Sequence, residues 1–84
     1  MPIAPITPDQ ALQMLAEAFN EPATELRPER LRDSIAGWDS MGALMMIALL
    51  DERFGVELSA EESRNMRSIG DALEFLRSRQ LLRE

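Results

Sequence analysis

The chain contains no cysteine, no histidine and no lysine, and its nine basic residues are all arginine. Without cysteine there are no disulfides and no thiolate metal sites. Without histidine, the commonest general base and the commonest metal ligand are gone. Without lysine, no Schiff base can form on the chain. An enzyme built from this sequence would have to work with serine, aspartate, glutamate and arginine alone. No catalytic residue and no metal ligand is therefore assigned, and a role other than catalysis is expected. The start, Met1 to Ile6, lacks the charged segment and the long apolar run of a secretion signal. No stretch approaches the length of a membrane span. The expectation is a cytoplasmic protein with no membrane insertion.

What is present is short and acidic. The 84 residues make a single domain, 1–84. A domain of this size buries only about 60–65% of the surface of its unfolded chain. It holds a few helices and leaves little room for a deep cleft; a monomer is expected. The net charge of −6 opposes binding to phosphate backbones, so nucleic acid is not an expected partner. The charge is unevenly placed. Asp39, Asp51, Glu52, Glu57, Glu61 and Glu62 meet only Arg53 between residues 39 and 62, whereas arginines outnumber acids from Ser63 onward. The acidic middle is the part that a basic partner would feel.

Four helical stretches are predicted, at about 8–20, 40–54, 60–66 and 69–80. Thr7-Pro8-Asp9-Gln10 has the cap, the first-turn proline and the capping-box glutamine of a helix start. Leu12, Leu15, Ala16 and Phe19 follow as one apolar stripe. A long connection of residues 21–39 comes next, interrupted by Pro22 and Pro28. Loops of that length often carry function. Leu26, Leu31, Ile35 and Trp38 are expected to pin it to the core, with a helical turn near Glu29–Arg32. Arg27, Arg30 and Arg32 read as a solvated loop face or a partner contact. Asp39-Ser40 opens the second helix and Gly55 stops it. Val56-Glu57-Leu58 is an extended link. Ser59 to Glu62 is a second capping box, and Ser68 opens the last helix, with Ile69, Leu73 and Leu76 on one stripe.

The second helix carries two apolar faces. Ala43, Met46, Ile47, Leu50 and Phe54 fall in one arc, a sensible core face. Met41, Leu44, Met45, Ala48 and Leu49 fall largely opposite, near Asp51 and Glu52. A helix apolar all round is normally buried all round, which a domain this small can hardly manage. Either the loop covers the second face, or that face is partly exposed and serves as a docking surface, for which methionines are well suited.

A serine after an aspartate at a helix start is by itself a cap. Its context is more specific. Gly37-Trp38-Asp39-Ser40-Met41, the apolar helix, Leu50-Asp51-Glu52-Arg53-Phe54-Gly55-Val56-Glu57-Leu58 and the capping box from Ser59 together resemble the acyl carrier protein family, including peptidyl carriers, over about residues 8–80. Trp38 before Asp39-Ser40 is similar to the stand-alone bacterial carriers of specialised pathways. The resemblance implies an all-α fold, a small four-helix bundle with a long loop between helices 1 and 2. It implies that Ser40 accepts 4'-phosphopantetheine from coenzyme A through a separate phosphopantetheinyl transferase, and that Asp39 contributes to recognition by that transferase. Acyl or aminoacyl groups would then ride as thioesters between a loading ligase and a downstream synthase or transferase of a dedicated pathway. Met41, Leu44, Met45, Ala48, Asp51 and Glu52 are the implied docking residues. The alternative is a carrier-like interaction module without the prosthetic group. Gly42 and Met45 stand where fatty-acid carriers are often acidic, and Arg53 breaks the acidic run. Partners selected by apolar contact rather than by charge are expected.

Overall fold

Thr7 starts the first helix with two reciprocal hydrogen bonds: its hydroxyl accepts from the Gln10 amide at 3.2 Å, and the Gln10 side chain accepts from the Thr7 amide at 2.9 Å. Two otherwise unpaired N–H groups are thereby satisfied. The helix, α1, runs Pro8–Phe19 and ends at Asn20 in the left-handed conformation. The computed structural model describes residues 6–82. The lack of a secretion signal was read on residues that fall mostly outside this range, as do the two ends of the 1–84 domain.

Three further helices come after it: α2 (Ser40–Phe54), α3 (Ala60–Asn65) and α4 (Ile69–Ser78). Among the described residues there is no strand, only isolated bridges of Ile6 with Leu82 and Leu31 with Ser68. The fold is the expected all-α bundle with a long loop between its first two helices. Gly55 closes α2 with φ 64°, a conformation that costs glycine nothing. Ser59 and Glu62 form the capping box of α3, and the Ser68 hydroxyl accepts from the Asp71 amide to start α4. Among the described residues no helix is long and apolar enough to cross a membrane.

The core is one cluster drawn from α1, α2, α4, the loop and the segments flanking α3, with Phe19, Met14, Leu26, Met46, Leu50, Ile69 and Leu76 at its centre. The buried face of α1 is turned from the expected stripe. Ala11, Met14, Leu15, Ala18 and Phe19 are buried, whereas Leu12 borders the loop beside Leu26 and Pro28.

The loop contains two 3-10 turns, Ala23–Glu25 and Arg32–Ser34, rather than one near Glu29–Arg32. Leu26, Ile35 and Trp38 are buried as expected, but Leu31 is 59% exposed. The reason is the route of the chain. After a turn at Pro28-Glu29, residues 30–32 lie extended against the start of α4, and the segment is held there by hydrogen bonds from Gly70 N to Pro28 O, from Ile69 N to Arg30 O and from Arg32 N to Arg67 O. Side chains alternate along an extended segment, so Arg30 and Arg32 turn inward and Leu31 between them turns to solvent. Neither arginine is a solvated face. Arg30 donates to Glu21, to the Glu25 carbonyl and to the Ser34 carbonyl, and stitches the loop to itself. Arg32 reaches the Ser63 and Met66 carbonyls at the end of α3.

Two glycines bring α1, the loop and α2 into backbone contact. A Cβ on Gly37 would stand 1.6 Å from the Phe19 carbonyl oxygen, and one on Gly42 would stand 1.8 Å from the Gly37 carbonyl oxygen. Trp38 stacks on the Phe19 ring, with centroids 4.6 Å apart and planes 16° apart. Arg32 lies over the Trp38 ring at 5.3 Å. The indole N–H of Trp38 is buried without an acceptor among the described residues, so packing and not hydrogen bonding holds this ring.

On helix propensity alone, Gly42→Ala would stabilise α2 by up to about 1 kcal/mol. Because the added methyl would strike backbone, we expect a loss of about 1–3 kcal/mol or more instead, read as a lower urea midpoint; a gain would refute the close contact. The carboxyl of Glu62 is held below the usual carboxylate range, first by the Ser59 N–H and then by Arg79. That of Glu17 is held down by a two-pronged hydrogen bond from Arg53. A depressed carboxylate stabilises the fold above the ordinary carboxylate range and loses that contribution as pH falls through its folded value. The thermal midpoint is therefore expected to drop on acidification from neutral to about pH 3. Glu62→Gln, which keeps the cap but does not titrate, should flatten that drop.

Candidate functional site

Ser40 is the first residue of α2 and is exposed. Asp39 precedes it as the cap, one carboxylate oxygen accepting from the Gly42 amide at 2.9 Å. The second oxygen is left for other partners. Both side chains therefore stand at the open start of a fifteen-residue helix, where the unpaired amides and the helix dipole favour an anion. Trp38 and Gly37 hold the chain immediately before them against α1, so Ser40 is presented from a rigid base.

The route of the loop settles the second face of α2. The loop crosses to α4, and nothing among the described residues covers Met41, Leu44 and Met45, which are 70%, 59% and 47% exposed. Ala48, Asp51 and Glu52 are exposed as well. Leu49 differs from its neighbours and packs partly against the core. The expected core arc holds at Met46 and Leu50, which are fully buried, with Ala43, Ile47 and Phe54 half-buried. Arg53 leaves the acidic run to pair with Glu17 of α1 at 2.7 Å. It acts as a tie between helices, and as an exposed pair it adds little to stability.

Beside Ser40, α2 and α3 enclose a cleft of about 260 Å³ bounded by Arg32, Ser40, Leu44, Ile47, Ser63 and Arg64. Ser63 is buried and its hydroxyl has no partner among the described residues. A larger cleft of about 530 Å³ lies further along the same helices, bounded by Ile47, Asp51, Glu57, Leu58, Glu62 and Arg79. Ile47 lines both. Sequence reasoning found the α2 side of this groove only as parts of other features. Ser40, Leu44, Ile47 and Asp51 recur at the spacing of one helix face, which is a legible signal. Arg32, Ser63, Arg64 and Glu57 come from three other segments and carry no local signal. Among the described residues there is no cluster of acids suited to a metal ion.

No protein-family model matches the chain. It is similar to the acyl carrier protein of Acidothermus cellulolyticus, 27% identical over 75 residues that span 84% of this chain and 89% of that one. It is also similar to the acyl carrier protein of Helicobacter pylori strain G27, 29% identical over 68 residues, 81% of this chain and 87% of that one. The similarity to acyl carrier proteins runs over most of the chain. That similarity supports a carrier role in general.

The side chains on the outer face of α2 are exposed enough that their loss should leave the fold intact. The double variant Leu44→Ala, Met45→Ala is expected to lose less than about 1 kcal/mol of unfolding free energy. Met46→Ala, at a buried position, should lose about 2–5 kcal/mol. Urea titrations of the two variants, side by side, separate core from surface; equal losses would place Leu44 and Met45 in the core.

Proposed function

We propose that Ser40 is the attachment point of a 4'-phosphopantetheine arm, transferred from coenzyme A by a separate transferase. The observation that carries this is the placement of Ser40: an exposed primary hydroxyl on the first turn of a long helix, on a base fixed by Trp38, Gly37 and Gly42. A foreign active site can reach such a hydroxyl. In the transfer, Ser40 gives up its proton to the transferase, its Oγ bonds to phosphorus, and adenosine bisphosphate leaves. The phosphodiester so formed sits where unpaired helix amides favour negative charge. Asp39 has two compatible parts, capping α2 through one oxygen and offering the other to the transferase.

The attached arm supplies the thiol that the chain lacks, and acyl or aminoacyl groups ride on it as thioesters. The rest of the work is presentation. The exposed face of Met41, Leu44, Met45 and Ala48, with Asp51 and Glu52 at its far end, is the surface on which a loading ligase and a downstream synthase or transferase dock. Its apolar start selects partners by fit rather than by charge, which suits a dedicated pathway. The similarity to curated acyl carrier proteins supports the same reading.

The test is intact mass after incubation with coenzyme A, magnesium and a broad-specificity transferase. Wild type is expected to gain one phosphopantetheine and Ser40→Ala none. Wild type that stays at its unmodified mass leaves the interaction module without a prosthetic group as the function. The same gain on Ser40→Ala moves the attachment elsewhere.

A further inference from the structure

The methionines among the described residues divide sharply by exposure. Met14, Met46 and Met66 are at most 5% exposed and belong to the core cluster. Met41 and Met45 stand open to solvent. Met45 and Met46 are neighbours in sequence, yet one is 47% exposed and the other 1%. The division therefore follows the direction of each side chain from α2. Met41 and Met45 are four residues apart, which places them on one face of the helix. Leu44 is exposed beside them, and Met41 directly follows Ser40. Neither of the two methionines belongs to the core cluster.

The chain itself offers an oxidant little else. It has no cysteine, histidine or tyrosine, and its single tryptophan, Trp38, is buried against Phe19. The oxidisable atoms it shows to solvent are two thioether sulfurs, and both lie on the face that begins at Ser40. A hydroperoxide converts each in one step. The sulfur lone pair attacks one peroxide oxygen, so that an S–O bond forms as the O–O bond breaks. Sulfur loses two electrons and the peroxide gains them. The proton of the transferred oxygen passes to the departing one, and with hydrogen peroxide the leaving group is water. The product, methionine sulfoxide, is polar and chiral where the thioether was apolar. On an exposed face it costs the fold little. Under a partner it must be stripped of water, which is unfavourable without a matching donor.

We propose that Met41 and Met45 are sites of reversible oxidation by hydroperoxides, and that their sulfoxides switch off docking on the outer face of α2. The second half rests on the docking face assigned under the proposed function; the first rests on exposure and sulfur chemistry alone. Leucine would supply apolar contact of similar volume without this sensitivity. A sulfoxide carries no net charge, so a surface selected by charge would scarcely register it. A surface selected by apolar fit loses its match. Reversal falls to methionine sulfoxide reductases, one enzyme for each epimer.

The experiment treats the unloaded protein with hydrogen peroxide and destroys the excess with catalase. Peptide mass mapping, thermal melting and kinetics of loading by a broad-specificity phosphopantetheinyl transferase follow. The transferase is the docking probe, because an enzyme acting on Ser40 meets Met41 beside it. Mapping also separates Met1, which lies outside the described residues. Met41 and Met45 are expected to gain one oxygen each well before Met14, Met46 and Met66, with the melting temperature held within ~2 °C. The KM for the oxidised protein should rise ~5-fold or more, the cost of burying an unmatched polar group, with kcat little changed. Both reductases together should restore it. The double variant Met41→Leu, Met45→Leu should show one KM before and after peroxide. Met41→Gln, Met45→Gln should reproduce the raised KM with no oxidant. Early oxidation of Met14 or Met46, or melting that collapses as Met41 and Met45 react, overturns the assignment of the sites. Full oxidation of both with an unchanged KM overturns the switch. Untreated wild type that does not load overturns the Ser40 assignment and the switch with it, while the mass map still decides where oxidation falls.

Discussion

Phe19 is the point at which three segments of the chain meet, and the meeting is a backbone contact. Its carbonyl admits Gly37 because Gly37 has no Cβ, and the carbonyl of Gly37 admits Gly42 for the same reason. The Phe19 ring carries Trp38 on one face. Neither glycine needs unusual dihedral angles here; both are needed for room. Protein interiors are packed densely enough that one methyl group at either position would separate the segments. The start of α2, and Ser40 with it, is positioned by this contact more than by its own cap.

The second determining feature is where the long loop goes. Its backbone hydrogen bonds run to the start of α4, and its two inward arginines are spent on carbonyls of the loop and of α3. Backbone groups inside a small fold must find partners, and α4 supplies them. The loop is then not available to cover α2. An apolar helix face left open beside an exposed serine is the direct consequence. The same choice brings Arg32 to the cleft beside Ser40, so one chain path produces both the open apolar face and the arginine side of that cleft.

Charge along α2 and α3 divides in a way that net charge conceals. The chain is acidic overall, yet the cleft at Ser40 contains no carboxylate while the cleft beyond Ile47 is rich in them. Screening falls off inside grooves bounded by protein.

Helix starts and stops were legible because they are local. Thr7 with Gln10, Ser59 with Glu62, Asp39, Ser68 and Gly55 each act on amides or dihedral angles within a few residues of themselves. Residue type and spacing are enough to place them. The core arc of α2 was legible for the same reason, since periodicity is a property of one segment. Leu31 was misplaced because its direction depends on the pairing of residues 28–32 with α4. The roles of Arg30, Arg32, Gly37 and Gly42 were hidden because each depends on a partner many residues away. What the sequence by itself determined is the set of helices, the loop between the first two and the Asp39-Ser40 start of α2. Whether the second face of α2 is covered, why Gly42 is glycine, and which charges share a groove with Ser40 were decided only by the tertiary structure. Those are matters of which segments touch, and contact between distant segments is set by packing and by the demand of backbone groups for partners.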